Sequence, residues 1–183
     1  VTYAGTIGTS YDIRTMILAA DVLKARGYSD IHIKILGGGP LKEELEELAG
    51  TLNGNVEFVG YAPYEKMAAY LKKSDILVNS FVKKAPQSIV TKIGDYLAAG
   101  KPMINTCSSP EFRKKVEADG FGMNIEAEDK LILADAIQML YQDEQKRRIM
   151  GEKARKIAKE QFDRPNSYEK IVELMEKLMG ESK

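Results

Sequence analysis

The sequence lacks the charge excess and the ligand residues that mark several classes of protein. Its 183 residues carry 27 basic and 27 acidic side chains, so no net field favours nucleic acid or an anionic membrane surface. The single cysteine, Cys107, excludes an intramolecular disulfide framework, and the single histidine, His32, leaves a zinc site short of ligands. No apolar run approaches membrane-spanning length. We therefore expect a soluble, cytoplasmic protein with no metal site and no nucleic-acid partner.

Two familiar nucleotide-binding motifs are also missing. The loops Gly5–Gly8 and Gly37–Pro40 follow the first two predicted strands, but neither contains Gly-x-Gly-x-x-Gly, and no Walker sequence occurs. Glycine at such a place lets the backbone approach a phosphate group near a helix N-terminus, although a plain tight turn uses it too. The three consecutive glycines of the second loop favour close approach, because a simple connector need not lose that much backbone entropy.

Strand-like and helix-like patterns alternate along the first two thirds of the chain. The predicted strands are Val1–Ile7, Ile31–Leu36, Val56–Val59, Asp75–Ser80, Pro102–Thr106 and Gly122–Ile125. The predicted helices between them are Tyr11–Arg26, Pro40–Leu52, Pro63–Lys73, a helix within Pro86–Pro102, and Pro110–Ala118; three more follow, at Glu128–Tyr141, Glu144–Phe162 and Ser167–Met179.

Helices of crossover length between short strands require parallel pairing with right-handed connections. The predicted fold class is therefore α/β: a doubly wound, Rossmann-like six-stranded parallel sheet with helices on both faces and extra C-terminal helices. The alternating core is expected over residues 1–126 and the extra helices over 127–183, packed on the sheet edge or reaching a partner domain. Because the chain opens directly on a strand, with no initiator methionine, we also expect it to be cut from a longer protein.

The most informative segment is Pro86–Pro102, which predicts a helix with an abrupt start and stop. Its polar residues recur at i, i+3, i+4 and i+7 and are predicted to share one face; they are Ser88, Thr91, Lys92 and Asp95. An ordinary wet outer face gives the same split. However, the helix follows a strand across a short loop, so it should begin at the carboxyl edge of the sheet, where open α/β folds bind ligands.

Six short motifs, in their order and spacing, resemble the donor-binding, C-terminal half of retaining GT-B glycosyltransferases of family four, in a polysaccharide-assembly-like branch. The motifs are Tyr3-Ala-Gly-Thr-Ile-Gly, Ile35-Leu-Gly-Gly-Gly-Pro, Val56-Glu-Phe-Val-Gly-Tyr, Ser74-Asp-Ile-Leu-Val-Asn-Ser, Asp95-Tyr-Leu-Ala-Ala-Gly-Lys-Pro and Asp119-Gly-Phe-Gly. The resemblance implies that residues 1–183 form a single nucleotide-sugar-binding domain. It further implies an N-terminal acceptor domain that is absent from this chain. Any peripheral association with a membrane would be made by that domain.

The resemblance also implies roles for particular residues. The family's two glutamates, which have seven residues between them, are replaced here by Gln87, implied to contact the donor sugar, and Asp95, implied to accept hydrogen bonds from ribose hydroxyls. Amides at the helix N-terminus are implied to hold the diphosphate, and backbone groups near Tyr61 to read a uracil or guanine base. The expected donor-binding set is Gly5, Thr6, Gly37, Gly38, Tyr61, Ala62, Ser88, Ile89, Val90 and Asp95.

A second departure concerns the charge of the leaving diphosphate. Thr6 and Tyr11 occupy the places of a family arginine and lysine, and losing one such contact could raise the barrier by about 3 kcal/mol. Lys92, on the predicted polar face, is the expected replacement, with Lys83, Lys84 and Arg14 behind it. Gln87 and Lys92 are therefore the predicted catalytic residues.

The expected reaction is transfer of a sugar, with retention, from a UDP or GDP sugar to an acceptor hydroxyl, with no cofactor and no metal. The isolated domain is expected to be inactive. Three alternatives stay open: a degenerate, non-catalytic module, a GT-B sugar-nucleotide epimerase, and a phosphorylase, for which no pyridoxal phosphate lysine is identified. A receiver-like signalling domain is disfavoured because the fourth strand ends in Asn79-Ser80, not in a phosphorylatable aspartate.

Overall fold

The computed structural model describes residues 1–85 and 90–180, except for the side chains at 164–167, 170 and 180. Its strands are β1 (Thr2–Ala4), β2 (Ile33–Leu36), β3 (Val56–Gly60), β4 (Leu77–Asn79), β5 (Met103–Asn105) and β6 (Gly122–Asn124). They form one parallel six-stranded sheet in the order β3-β2-β1-β4-β5-β6. The predicted doubly wound α/β fold is confirmed.

Helices cover both faces of this sheet. They are α1 (Ile13–Ala25), α2 (Lys42–Gly50), α3 (Tyr64–Lys73), α4 (Lys92–Ala99), α5 (Pro110–Asp119), α6 (Lys130–Gln142), α7 (Glu144–Ile157) and α8 (Arg164–Gly180), with a π-helical turn at Ala158–Phe162. The C-terminal helices α6 and α7 pack on α1 and α4 respectively, whereas the sequence predicted packing on the sheet edge.

Two apolar clusters, one on each face of the sheet, form the core. The first joins α1, α2 and α6 to strand residues such as Ile35 and Val78, and the second joins α3, α4, α5 and α7 to residues such as Leu77 and Met103. Neighbours such as Leu77 and Val78 belong to different clusters because successive strand residues point to opposite faces. Helices therefore cover both faces of the sheet, and a ligand could reach the strands only at their ends.

The first strand is shorter than predicted. It ends at Ala4, not Ile7, because Gly5 takes a φ of +153° and turns the chain out of the strand. The Gly5 N–H donates to the Leu36 carbonyl at 3.0 Å and the Ile7 N–H to the Gly38 carbonyl at 2.9 Å. The residues after β1 therefore run across the carboxyl end of β2.

The strand order reverses between β1 and β4, and a tyrosine closes the gap there. These two strands are in register at one position, Thr2 opposite Leu77. Beyond it, the buried Tyr96 hydroxyl accepts from the Ala4 N–H at 2.8 Å and donates to the Ala4 carbonyl at 3.1 Å, with the Val78 carbonyl 3.4 Å away. A side chain thus satisfies buried backbone groups that a continued ladder would have paired.

The last helix, α8, keeps a row of large apolar side chains in solvent. Those described as exposed are Tyr168, Ile171, Val172, Leu174, Met175, Leu178 and Met179. Even so, none of the helices in the described part of the chain is both long enough and apolar enough to cross a bilayer.

The Tyr96→Phe variant should be measurably less stable. It removes the hydroxyl but keeps the ring, so the buried Ala4 N–H loses its acceptor, at a cost of about 1–3 kcal/mol. Urea unfolding followed by circular dichroism measures the difference. Tyr168→Phe, on the exposed side of α8, is the matched control and should stay within about 0.5 kcal/mol of the parent. Equal stability of the two variants would contradict the role given to the Tyr96 hydroxyl.

Candidate functional site

The loops at the carboxyl ends of β1, β2 and β3 are joined to each other by backbone contacts. Besides the two hydrogen bonds from the β1 loop, the Gly37 N–H donates to the Gly60 carbonyl at 2.8 Å. Gly37 has a φ of +129°, and a Cβ there would lie 1.9 Å from the Gly5 carbonyl oxygen. Only glycine allows this approach, so the consecutive glycines serve close packing between two loops.

A cleft of about 460 Å³ opens above these loops, a size suited to a small-molecule ligand. Six of the predicted donor-binding residues line it together: Gly5, Thr6, Gly37, Gly38, Tyr61 and Ala62. Ala4, Leu36 and Met67 complete the lining described by the structure, and none of these nine side chains is charged. An anion bound in this cleft would therefore depend on backbone amides and on charges outside the lining.

Two larger cavities lie at the opposite, amino edge of the sheet. One of about 500 Å³ includes His32 and Asp75, and one of about 620 Å³ includes Lys101 and Arg155. Neither contains a predicted site residue, and open α/β sheets bind ligands at their carboxyl edge, so the smaller cleft is the better candidate. In the described ranges, no three His, Cys, Asp or Glu side chains are grouped to hold a metal ion.

The helix α4 starts later than the sequence predicted. It begins at Lys92, with Thr91 at its N-cap, and the Ile93 N–H donates to the Val90 carbonyl at 3.0 Å in the turn before it. Val90 therefore lies directly before the helix, and its role in holding the diphosphate stays a prediction. Thr91 already has helical dihedral angles, with a φ of −55° and a ψ of −33°, so the chain turns into the helix directly after Val90. The predicted residues Gln87, Ser88 and Ile89 lie outside the described part of the chain.

Asp95 lies outside the cleft lining but is connected to the segment that contributes Tyr61 and Ala62. The Tyr64 hydroxyl, at the first residue of α3, donates to Asp95 Oδ1 at 2.9 Å. Tyr64 was not among the predicted residues. Its position three residues after Tyr61, a predicted donor-binding residue, was the one feature of the sequence that could have pointed to it. One oxygen of the Asp95 carboxylate is thus already held, which fixes the orientation of the group.

Lys92 does not point to solvent, so it is not the ordinary solvated lysine of a wet helix face. Its stem is half-buried, but its Nζ atom is fully buried and has no hydrogen-bond partner among the described residues. The side chain turns inward because aromatic rings offer the amine a favourable face there. The ring centroids of Tyr3, Tyr11, Phe81 and Tyr96 lie 4.3, 4.6, 5.4 and 5.8 Å from Nζ respectively.

Burial changes the acid–base properties of this group of side chains. It lowers the pKa of the Lys92 amine to about 7, since the charged form loses its hydration. Burial also raises the pKa of the Tyr3 and Tyr96 phenols well above their ordinary value, so both stay neutral. At the place of Tyr11 the resemblance implies a lysine, so this position contributes an aromatic ring in place of a positive charge.

The loop that leads from β4 toward α4 is anchored as far as Lys83. The Thr106 hydroxyl accepts from the Phe81 N–H at 2.6 Å and donates to the Phe81 carbonyl at 2.9 Å. The Ser80 hydroxyl donates to the Asp12 carbonyl at 2.8 Å, and the Lys83 N–H donates to Glu128 Oε1 at 3.0 Å. Three separate elements therefore fix the start of the loop.

The buried carboxylate of Asp12 joins two of those elements. It accepts from the Thr15 N–H at 3.2 Å, as the N-cap of α1, and from the Glu128 N–H at 2.9 Å. Burial raises its pKa above the usual range, against the lowering effect of these hydrogen bonds. Glu128 has a φ of +61°, an uncommon conformation for a residue other than glycine, and this contact helps to hold it.

An amide ladder lines the ends of β4, β5 and β6. Asn79 Nδ2 donates to Asn105 Oδ1 at 2.9 Å, and Asn105 Nδ2 donates to Asn124 Oδ1 at 2.8 Å. Asn79 Oδ1 is buried and has no hydrogen-bond partner in the described parts of the chain. From the sequence, Asn79 served only as an argument against a phosphorylatable aspartate at the end of the fourth strand. The ladder was not predicted.

Replacing Lys92 should alter the pH dependence of stability. Between pH 7 and 10.5 the unfolded chain holds a proton that the folded Lys92 amine has lost, so the stability of the parent rises across this window. Lys92→Met removes that rise. The variant's free energy of unfolding should exceed that of the parent most below pH 7, by on the order of 4 kcal/mol, and this difference should disappear toward pH 10.5.

Urea unfolding of parent and variant at several pH values measures this gain. Lys114→Met, an exposed lysine on α5, is the matched control and should show no such pH dependence. A gain from Lys92→Met that stays the same from pH 6 to 10 would contradict the burial of an ionisable amine at this position.

Comparison with known proteins gives relatives with the same fold and, in one case, clear sequence similarity. An uncharacterised glycosyltransferase of Methanocaldococcus jannaschii is 29% identical over 152 residues, which are 82% of this chain and 38% of that protein. The crystal structure of Anabaena HepE in complex with UDP matches with a TM-score of 0.80 and 17% identity, over 96% of this chain and 48% of HepE. The chain thus spans half or less of the length of these two relatives.

A third match is close in length to this chain. The C-terminal domain of LpcC, a group 1 glycosyltransferase from Francisella tularensis, matches with a TM-score of 0.74 and 21% identity, over 89% of this chain and 85% of that domain. These structural likenesses establish the fold. Residues 1–157 match the family of group 1 glycosyl transferases, which is most of the chain. The chain therefore belongs to the group 1 glycosyltransferase family.

Proposed function

We propose that this chain is the donor-binding, C-terminal half of a retaining glycosyltransferase of family four that acts in polysaccharide or glycoconjugate assembly. The observation that carries the proposal is the carboxyl-edge cleft, where six of the expected donor-binding residues line one cavity. Structures of HepE hold UDP or UDP-glucose, and the LpcC structure is a C-terminal domain, which supports both parts of the proposal.

The donor would lie along the ends of the strands. The base would contact the backbone at Tyr61 and Ala62 and could stack on the exposed Tyr61 ring. Asp95 would accept the ribose hydroxyls with the oxygen not held by Tyr64. The diphosphate would lie between the loop of Gly5 and the start of α4, where the helix dipole favours an anion.

In the proposed reaction, an acceptor hydroxyl attacks the anomeric carbon and the nucleoside diphosphate leaves from the same face. The leaving phosphate takes the proton of the acceptor, so the sugar is transferred with retention. Lys92 supplies positive charge beside the diphosphate, and Gln87 contacts the donor sugar. Stabilising the charge that develops on the leaving group is the protein's main contribution to the rate.

The acceptor would bind to an N-terminal domain of a longer protein. The chain spans 48% of HepE, which leaves room for such a domain, and the exposed apolar side chains of α8 would be covered there. This chain alone should therefore bind a nucleotide sugar without transferring the sugar.

A second candidate is a degenerate module that no longer supports transfer. It is favoured by the uncharged lining of the cleft, together with Thr6 and Tyr11 at the places where the family has cations. The following titration separates the two candidates.

We predict that this chain binds one nucleotide saturably, and that this nucleotide is UDP in preference to GDP, ADP or CMP. Asp95→Ala should weaken the binding by about 1–3 kcal/mol, because the ribose hydroxyls lose a charged acceptor. Isothermal titration calorimetry with each nucleotide, and with UDP-glucose, measures both effects.

The matched control is Glu111→Ala, which removes an exposed carboxylate from α5 and should leave UDP affinity unchanged. If none of the nucleotides binds at millimolar concentration, donor binding by this chain is refuted and the degenerate module is favoured. Binding that is equally tight in Asp95→Ala would remove Asp95 from the site.

A further inference from the structure

The Lys92 amine lies at the point where the strand order of the sheet reverses. Its four aromatic neighbours come from β1, the loop before α1, the loop after β4 and α4 itself, and they are Tyr3, Tyr11, Phe81 and Tyr96. Tyr96 closes the gap between β1 and β4, and Lys92 lies one helical turn before it. The amine is therefore buried next to the crevice in which doubly wound folds bind their ligands.

This position is unfavourable for a permanent cation in the empty site. A buried ammonium without hydrogen bonds loses its hydration, and cation–π contacts replace only part of it. Burial accordingly lowers the pKa of the amine to about 7. An anion arriving beside it would reverse this balance, because opposite charge within a few ångströms favours the charged form.

The buried amine lies close to the glycine that lines the cleft. Gly5 lines the cleft, and a Cβ at that position would lie 3.5 Å from Lys92 Nζ and 2.9 Å from the Tyr3 hydroxyl. A side chain there would cover the amine. The Tyr3 hydroxyl donates to the Thr6 carbonyl at 2.7 Å, so the aromatic cage is also bonded to the loop that lines the cleft.

The other ionisable groups near the amine are three phenols, a carboxylate and two exposed lysines. Tyr3 and Tyr96 stay neutral because burial raises the pKa of both phenols, and Tyr11 faces the amine with its ring. Asp95 lies one turn further along α4 and is bonded to Tyr64. Lys83 and Lys84 are exposed on the preceding loop.

We propose that Lys92 is a proton-linked counter-charge, whose amine is uncharged among the four rings in the empty site at slightly alkaline pH and takes up a proton when a nucleoside diphosphate binds beside Gly5. The inference rests on the proposed function, since it names the regulation of the same donor site. The diphosphate receives a neutralising charge, and the empty protein avoids burying a bare cation.

Calorimetry of UDP binding at about pH 8, in phosphate and in Tris buffer, counts the protons taken up, because the two buffers differ in ionisation enthalpy. The parent should take up close to one proton, and this number should fall toward zero below about pH 6, where the amine is already charged. Affinity should fall by up to tenfold per pH unit above about pH 8. Lys92→Met should bind UDP without proton uptake, whereas Lys114→Met should behave like the parent.

Two outcomes would overturn the inference while leaving donor binding intact. One is binding by the parent at about pH 8 without proton uptake, and the other is uptake that persists in Lys92→Met. The pH series on the parent is decisive even if the variant fails to fold. Absence of UDP binding by the parent would instead refute the proposed function, and this inference with it.

Discussion

The structure depends on how the gap between β1 and β4 is closed. The strand order reverses there, and the two strands share one register position, so the backbone groups beyond it need other partners. The Tyr96 hydroxyl provides them by bonding to both polar groups of Ala4. Because Tyr96 belongs to α4, the same contact fixes the start of that helix against the sheet, and with it the position of Lys92.

In the candidate site, the residues that shape the cleft differ from the residue that can carry a charge. The cleft beside the gap is formed by glycine loops that are bonded to one another, and its described lining carries no charged side chain. The Lys92 amine, which can carry a charge, is buried nearby among aromatic rings behind Gly5. Such a site has a preformed floor, and its charge depends on what is bound, which suits a ligand that carries its own negative charge into a region of low dielectric.

The sequence predicted the fold well because alternation of short apolar strands with amphipathic helices admits few arrangements. The loops that contain Gly5, Gly37 and Tyr61 also meet at one edge of the sheet, as the predicted parallel topology requires, and donor binding by these residues stays a prediction. The sequence did not show that the Lys92 amine is buried, because helical spacing alone cannot reveal that a lysine bends inward to aromatic rings from distant elements. The Tyr64 contact to Asp95 and the asparagine ladder were missed for the same reason: both join residues far apart in sequence.

The most direct test of donor binding at the carboxyl edge is nuclear magnetic resonance of the ¹⁵N-labelled chain titrated with UDP, which locates binding residue by residue. The shifted amides should cluster at Gly5, Thr6, Gly38, Tyr61 and Ala62, while those of the amino-edge cavities stay unchanged. Shifts centred on His32 and Asp75, or no saturable shifts at millimolar UDP, would contradict a donor site in this cleft.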